Sequence, residues 1–176
     1  MAEDSTYWSL ELEKKAASIG EKPFLHLVYE DRFVTYKEMD DNANRIANYL
    51  LSVGASPGDG LAMLMGNSSQ FLDIFFGIQK AGMYVNPVNT GLRGEGLGFI
   101  IDNSDTGFLV VDHDKIDLYL SVARHTPKIR KVIVNTLEAP AGFTVPGGML
   151  DLRKAYEDMP CTKPEVSFDP DSLLLI

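Results

Sequence analysis

Residues Phe33–Phe71 read FVTYKEMDDNANRIANYLLSVGASPGDGLAMLMGNSSQF. The stretch holds a helix, a turn, a covered strand and the start of a second helix. Thr35 and Glu38 stand at the capping-box spacing, at which each side chain satisfies a free backbone N–H near the other. Met39, Ala43, Ile46, Leu50 and Val53 then recur at intervals of four and three, which draws one apolar stripe down a helix. Gly54 follows where a left-handed C-cap belongs. Ser56-Pro57-Gly58-Asp59 is a turn, and Gly60–Met65 is a short apolar run, hence a strand covered on both faces. Ser68 can cap the next helix, with Leu72, Phe75, Phe76 and Gln79 along one face up to Gly82.

The same alternation extends outward. Upstream, a helix is expected over about Ser5–Ile19. A hairpin follows, with a strand over Phe24–Tyr29, a polar turn at Glu30-Asp31-Arg32 and a return strand over Phe33–Thr35. Downstream, MYVNPV (83–88), FLVVD (108–112) and KVIVN (131–135) are further apolar runs separated by helical segments. Four such runs with helices between them predict an α/β fold, a mostly parallel sheet with helices on both faces. From Leu137 to Thr162 prolines and glycines mark a long loop, broken by a short helix near Asp151–Glu157. The final residues, Ser172–Ile176, read as the start of a buried strand.

The totals restrict function. A chain of 176 residues with 45% hydrophobic and 23% charged residues is an ordinary globular composition. A net charge of −9 argues against a nucleic-acid partner. The densest basic cluster, Lys128, Arg130 and Lys131, flanks a strand. Cys161 is the single cysteine, so no internal disulfide can form and a reducing compartment is expected. It lies beside Pro160 with no histidine near it in sequence, a poor setting for a catalytic thiol. No apolar run approaches the roughly 20 residues that span a bilayer, and the N-terminus is acidic where a signal peptide is basic. A cytoplasmic location is expected, with peripheral membrane contact left open.

Reaction chemistry is sparse. Gly94, Gly96 and Gly98 in NTGLRGEGLG suggest a phosphate loop, but the spacing is not G-x-G-x-x-G, and no G-x-x-x-x-G-K-S/T occurs. A helix weakened by glycines is the plainer reading, although glycines also permit close approach of a backbone or ligand. His26, His113 and His125 share no metal-ligand spacing. Asp112, His113 and Asp114 sit at a strand's C-terminal end, where α/β proteins bind ligands, and the two carboxylates could do acid–base work. Loop and cap duty for the carboxylates and a surface position for the imidazole are the plainer account. Asn67-Ser68-Ser69 is a glycosylation sequon that only a secreted protein would use.

Three segments together resemble the adenylate-forming acyl-CoA synthetase superfamily. The first is the opening stretch, with Val34-Thr35-Tyr36-Lys37-Glu38-Met39, Asn44-Arg45-Ile46-Ala47, Gly54–Asp59 and Asn67-Ser68-Ser69-Gln70-Phe71. The second is GIQKAGMYVNPVNTGL (77–92), similar to the family's lysine-alanine-glycine, strand and proline motif. The third is DNSDTGFLVVD (102–112). The resemblance implies that residues 1–176 are the N-terminal part of the large adenylate-forming domain, truncated before the phosphate-binding loop that follows the terminal strand. It implies a parent that uses ATP, Mg and coenzyme A to convert a fatty or other carboxylic acid to an acyl-adenylate and then a thioester. VNTGLRGEG looks nearer to fatty-acid or carnitine-type CoA ligases than to peptide-synthetase domains. Asn89, Thr90 and Gly91 match the loop that lines the entrance for the pantetheine arm, the alternative being a helix-start turn capped by Thr90. No residue matches a catalytic position, so the fragment alone is expected to be inactive, to bind no cofactor tightly, and to associate with the remainder of its chain or with copies of itself through uncovered sheet surface. A self-contained flavodoxin-like α/β binding module is the alternative, and an enzyme acting through Asp112 and His113 a remote third.

Overall fold

The computed structural model describes residues 7–167 and 174–176. The expected helix start at Ser5 and the beginning of the terminal strand at Ser172 and Leu173 lie outside the described residues. Helix α1 spans Trp8–Ile19, and strands β1 (Pro23–Leu27) and β2 (Arg32–Thr35) pair antiparallel as a hairpin. Arg32 belongs to β2 rather than to the turn, and Asp31 takes the left-handed conformation there (φ 44°).

Helix α2 (Tyr36–Ser52) forms as its pattern predicts. The Thr35 hydroxyl accepts from the Glu38 N–H at 3.1 Å. Only that half of the capping box is made, because the Glu38 carboxylate is drawn to the Arg32 guanidinium. Met39, Ala43, Ile46 and Leu50 are buried. Gly54, at φ 96°, ends the helix in a conformation that a side chain resists.

Strand β3 (Gly60–Leu64) is followed by α3 (Ser69–Lys80), whose first turn is capped by the Ser68 hydroxyl accepting from the Phe71 N–H at 3.2 Å. Then come β4 (Tyr84–Pro87), α4 (Gly94–Asn103), β5 (Phe108–Asp112), α5 (Ile116–Leu120), β6 (Lys131–Asn135), β7 (Leu150–Asp151) and α6 (Arg153–Asp158). The two-residue β7 falls inside the stretch read from sequence as loop.

The main sheet runs in the order β4-β3-β5-β6-β7 with every neighbour parallel. Alternation along its strands divides the core in two. Leu61, Met63, Phe108, Val110 and Ile133 face α2, α3 and α6. Ala62, Leu64, Leu109, Val111 and Val134 face α4, α5 and Val122. Helices therefore cover both faces, as a parallel sheet requires. Among the described residues of the main sheet, Leu175 and Ile176 beside β4 leave large apolar side chains exposed, whereas β3, β5 and β6 are covered on both faces. A third apolar layer joins Leu12 of α1, Val34 of β2, Met39 and Ala43 of α2 and Phe76 of α3.

Helix α3 is sandwiched between the sheet on one side and α1 with the hairpin on the other, so its buried surface is wider than the single stripe expected. Ile74, Phe76, Gly77, Ile78, Gln79 and Lys80 are all buried. Gly77 is the point of closest approach to α2: a Cβ there would lie 2.5 Å from the Ile46 Cβ. Lys80, 3% exposed, sits 2.8 Å from Asp40 Oδ1. The glycines of α4 are helical, and Gly98 lets His125 come close, with 3.1 Å between a built Cβ and the His125 Cβ.

Beyond α6 the chain runs as a strap against α2. Asn48 Nδ2 donates to the carbonyls of Pro160 (3.0 Å) and Thr162 (2.9 Å), and Asn44 Nδ2 donates to that of Cys161 (3.0 Å). Lys163 pairs with Glu13 of α1 at 2.9 Å. The last described residues lie outside β4, with Val85 bridged in parallel to Leu175. The Val85 N–H donates to the Leu174 carbonyl at 3.0 Å, and the Ile176 N–H to the Val85 carbonyl at 3.1 Å. A buried terminal strand is the expectation from sequence; Leu175 and Ile176 are instead exposed, because no described element covers either face of the sheet beside them. Among the described residues no helix is long and apolar enough to cross a membrane.

Candidate functional site

In a sheet of this order the connection reverses direction between β3 and β5, and ligands of doubly wound folds gather at the carboxyl ends of the strands there. A crevice of about 200 Å³ opens at that place, lined by Gly66, Asn67 and Ser68 after β3, by Asp112 at the end of β5 with His113 and Asp114 after it, and by Asn135 at the end of β6. Asp112 is its organising group. Its Oδ2 accepts from the Gly66 N–H at 2.7 Å and its Oδ1 from Asn135 Nδ2 at 3.0 Å. The carboxylate thus clamps the ends of three adjacent strands, and both its oxygens are engaged.

This geometry decides between the two readings of Asp112 and Asp114. Asp112 holds structure, and Asp114 pairs with its neighbour Lys115 at the surface. Both line the crevice, but each carboxylate is engaged, Asp112 by Gly66 and Asn135 and Asp114 by Lys115. His113 lies in a 3₁₀ turn over His113–Lys115 and packs edge-on against Phe143, 5.6 Å between ring centroids. His26 is exposed and stacks on Phe33. His125 takes a hydrogen bond from Arg124 Nε at 2.9 Å. Among the described residues no group of three or more His, Cys, Asp or Glu side chains could hold a metal ion. Lys128 and Arg130 are used structurally, Lys128 on Asp105 and Arg130 on Asp59, both at 2.7 Å, with Arg130 also lying over the Phe108 ring.

Asn89, Thr90 and Gly91 form the turn that leaves β4 at the same end of the sheet. Asn89 Oδ1 accepts from the Gly91 N–H at 2.8 Å, an Asx turn, and the Thr90 carbonyl accepts from Arg93 Nη1 at 2.6 Å. Thr90 caps no helix: the N-cap of α4 is Arg93, without a side-chain capping bond. The turn is preorganised by its own hydrogen bonds and presents small polar side chains at the surface. Val88, just before it, is buried and ties back to β3 through its N–H and the Met63 carbonyl at 2.9 Å.

Two other hollows flank α6. One, of about 650 Å³, lies under the loop 139–145 beside Arg153 and Lys154. The other, of about 190 Å³, lies between α2, α3 and α6 and contains Asp73, which sequence reading passed over. The available signal was a charged residue inside the apolar run QFLDIFFGI (70–78).

Comparison with known proteins places this scaffold. Over 78 residues, 44% of the chain, it is 41% identical to the long-chain-fatty-acid–CoA ligase FadD13 of Mycobacterium tuberculosis. Over 96 residues, 54% of the chain, it is 35% identical to 4-hydroxybutyrate–CoA ligase 2 of Metallosphaera sedula. The aligned stretches amount to 15% and 18% of those relatives' own lengths. In fold, 95% of the chain superposes on 31% of the anthranilate CoA ligase AuaEII, solved with anthranoyl-AMP, with a TM-score of 0.81 at 20% identity. The sequence profile of the family described as AMP-binding enzyme matches residues 12–176, nearly the whole chain. The chain belongs to that family, the adenylate-forming acyl-CoA synthetase superfamily.

Proposed function

We propose that residues 1–176 form the N-terminal part of the adenylate-forming domain of an AMP-forming acyl-CoA ligase acting on a fatty or related carboxylic acid, and that the chain alone does not turn over. In the parent reaction the substrate carboxylate attacks the α-phosphorus of ATP and releases pyrophosphate. The CoA thiol then attacks the acyl carbon and expels AMP. ATP and Mg supply the activated phosphoryl group and its charge neutralisation, and CoA supplies the thiol. This chain's residues contribute the scaffold and the Asn89–Gly91 turn, whose small side chains suit the wall of a narrow entrance for the pantetheine arm.

The observation that carries the reading is the parallel pairing of Leu175 with Val85. It directs residues after Ile176 to the end of the sheet where Asn89–Gly91 lies, so that a phosphate-binding loop there would stand beside the CoA entrance. The test is acyl-adenylate and acyl-CoA formation, assayed with a panel of carboxylic acids on the 176-residue chain and on the product of its gene read past Ile176. Activity in the longer protein alone is expected. ATP- and CoA-dependent thioester formation by the 176-residue chain would refute inactivity, and inactivity of both with every acid would count against the ligase reading.

The strand order and the crevice between β3 and β5 favour one other reading, a flavodoxin-like binding module. It requires a thermal unfolding midpoint of the chain that rises with a flavin or nucleotide.

A further inference from the structure

We propose that the cavity between α2, α3 and α6 is a binding site for a small N–H-donating cation, the head of a primary alkylammonium, held by Asp73 Oδ1 and Gln70 Oε1. Asp73 is 3% exposed, and its Oδ1 has no hydrogen-bond partner among the described residues; neither has the buried Gln70 Oε1. Both residues line the same cavity of about 190 Å³. Buried polar atoms are hydrogen-bonded in the great majority of cases, so two orphaned acceptors on residues that share one cavity mark a place short of donors.

The donors that reach the Asp73 carboxylate are gathered on one of its oxygens. Tyr156 Oη and Asn42 Nδ2 both donate to the other carboxylate oxygen, Asp73 Oδ2, at 2.9 and 3.3 Å. Arg32, at the rim, is spent on Glu38. The charges facing Asp73 are therefore Glu38 of α2 and Arg32 of β2, which offset one another, while Asn42, Ser69, Gln70 and Tyr156 are uncharged. The carboxylate of Asp73 is left as the uncompensated charge. An anion would meet two carboxylates and a guanidinium already engaged. A cation with N–H groups meets one buried carboxylate and a second acceptor. At about 30 Å³ per water, the cavity has room for an ammonium group and one or two carbons.

The proton and the cation compete for the same oxygen. Burial pushes the Asp73 carboxyl up to about 7, against the hydrogen bonds from Tyr156 and Asn42 that favour its charged form. Below that value, binding replaces the carboxyl proton and releases one H⁺; above it, binding releases none.

The experiment uses the full chain with methylammonium chloride, and tetramethylammonium chloride at equal ionic strength as the probe with the same charge and no N–H. The readouts are the thermal unfolding midpoint above neutral pH and the ¹³C carboxyl titration of Asp73. Methylammonium is expected to raise the midpoint saturably and to lower the apparent pKa of Asp73, and tetramethylammonium to do neither. Gln70→Met should weaken binding roughly tenfold, the loss of one hydrogen bond to a charged group. Asp73→Asn should abolish binding in a chain that remains folded. Equal effects of the two cations, no saturable response, or unchanged binding in Asp73→Asn would overturn the assignment and leave the two oxygens to water.

Discussion

Replacing Asp73 by Asn is expected to stabilise this protein, and only above acidic pH. The carboxyl is raised from 3.8 to about 7 in the fold, chiefly by burial and slightly by the Glu38 charge, with Tyr156, Asn42 and Arg32 opposing. A carboxyl whose folded value lies above its unfolded one favours the native state while neutral. Its stabilising contribution is therefore complete below the unfolded value, declines as pH rises between the two, and levels off above the folded one. About three pH units at 1.36 kcal/mol each give a ceiling of roughly 4 kcal/mol, which local relaxation and water entry reduce. Asn has nearly the same shape, carries no charge at any pH and keeps an acceptor for Tyr156 and Asn42. Urea unfolding of both proteins, followed from about pH 3, below the unfolded value, to about pH 8.5, isolates the effect, since the other carboxylates are common to both. The variant should match the wild type at the acid end and exceed it by about 2–4 kcal/mol at the alkaline end, with equal m-values. A stability difference that stays flat with pH, or a variant weaker at alkaline pH, would refute the argument that a charged Asp73 burdens the fold.

Other outcomes follow from close contacts. Gly77→Ala should destabilise by about 1–3 kcal/mol in the same assay, because its Cβ would meet Ile46 at 2.5 Å. Gly96→Ala, in α4 with no atom within 4 Å of its Cβ, should instead stabilise by up to about 1 kcal/mol. Lys80→Ala leaves Asp40 buried without its cation and should cost roughly 3–5 kcal/mol, most of it recovered when Asp40→Leu accompanies Lys80→Met. In the ligase read past Ile176, Asn89→Leu is expected to raise the KM for CoA while leaving acid-dependent ATP–pyrophosphate exchange unchanged. Loss of the exchange reaction would show that the turn serves adenylate formation instead.

The sequence made α2 legible because its signals are local. Thr35, the stripe from Met39 to Leu50, and Gly54 lie within one helix and its caps, and the structure keeps all of them. The parallel sheet was legible for a related reason: strands covered on both faces must be apolar along their covered length, as β3 is and as β5 is up to Asp112. What escaped was set by partners far along the chain. Glu38 completes no capping box because Arg32 reaches it first. The single stripe expected for α3 leaves out Lys80 and Asp73, whereas α3 lies between two apolar layers and buries both. Lys80 meets Asp40 on α2, and Asp73 meets Asn42 on α2 and Tyr156 on α6. Strand β7 has two residues, too few to show a period. Of the candidate site residues, Asn89–Gly91 form a turn held by its own hydrogen bonds, and the alternative of a helix start capped by Thr90 does not hold because α4 begins later, at Gly94.

The strap along α2 also sets an order of events during synthesis. Asn44 and Asn48 find their carbonyl partners 112 to 117 residues downstream. Asn44 is buried, so until Cys161 has left the ribosome its amide faces α2's packing side without that acceptor. Helix α2 can form early from its own cap and stripe, but its final seat waits for a segment made 112 to 117 residues later. Closing so long a loop slows folding more than it weakens the fold. A ribosome paused before residue 160 should therefore display a nascent chain whose α2 protects its amides from exchange less well than the released protein does, a gap that closes once the strap has emerged.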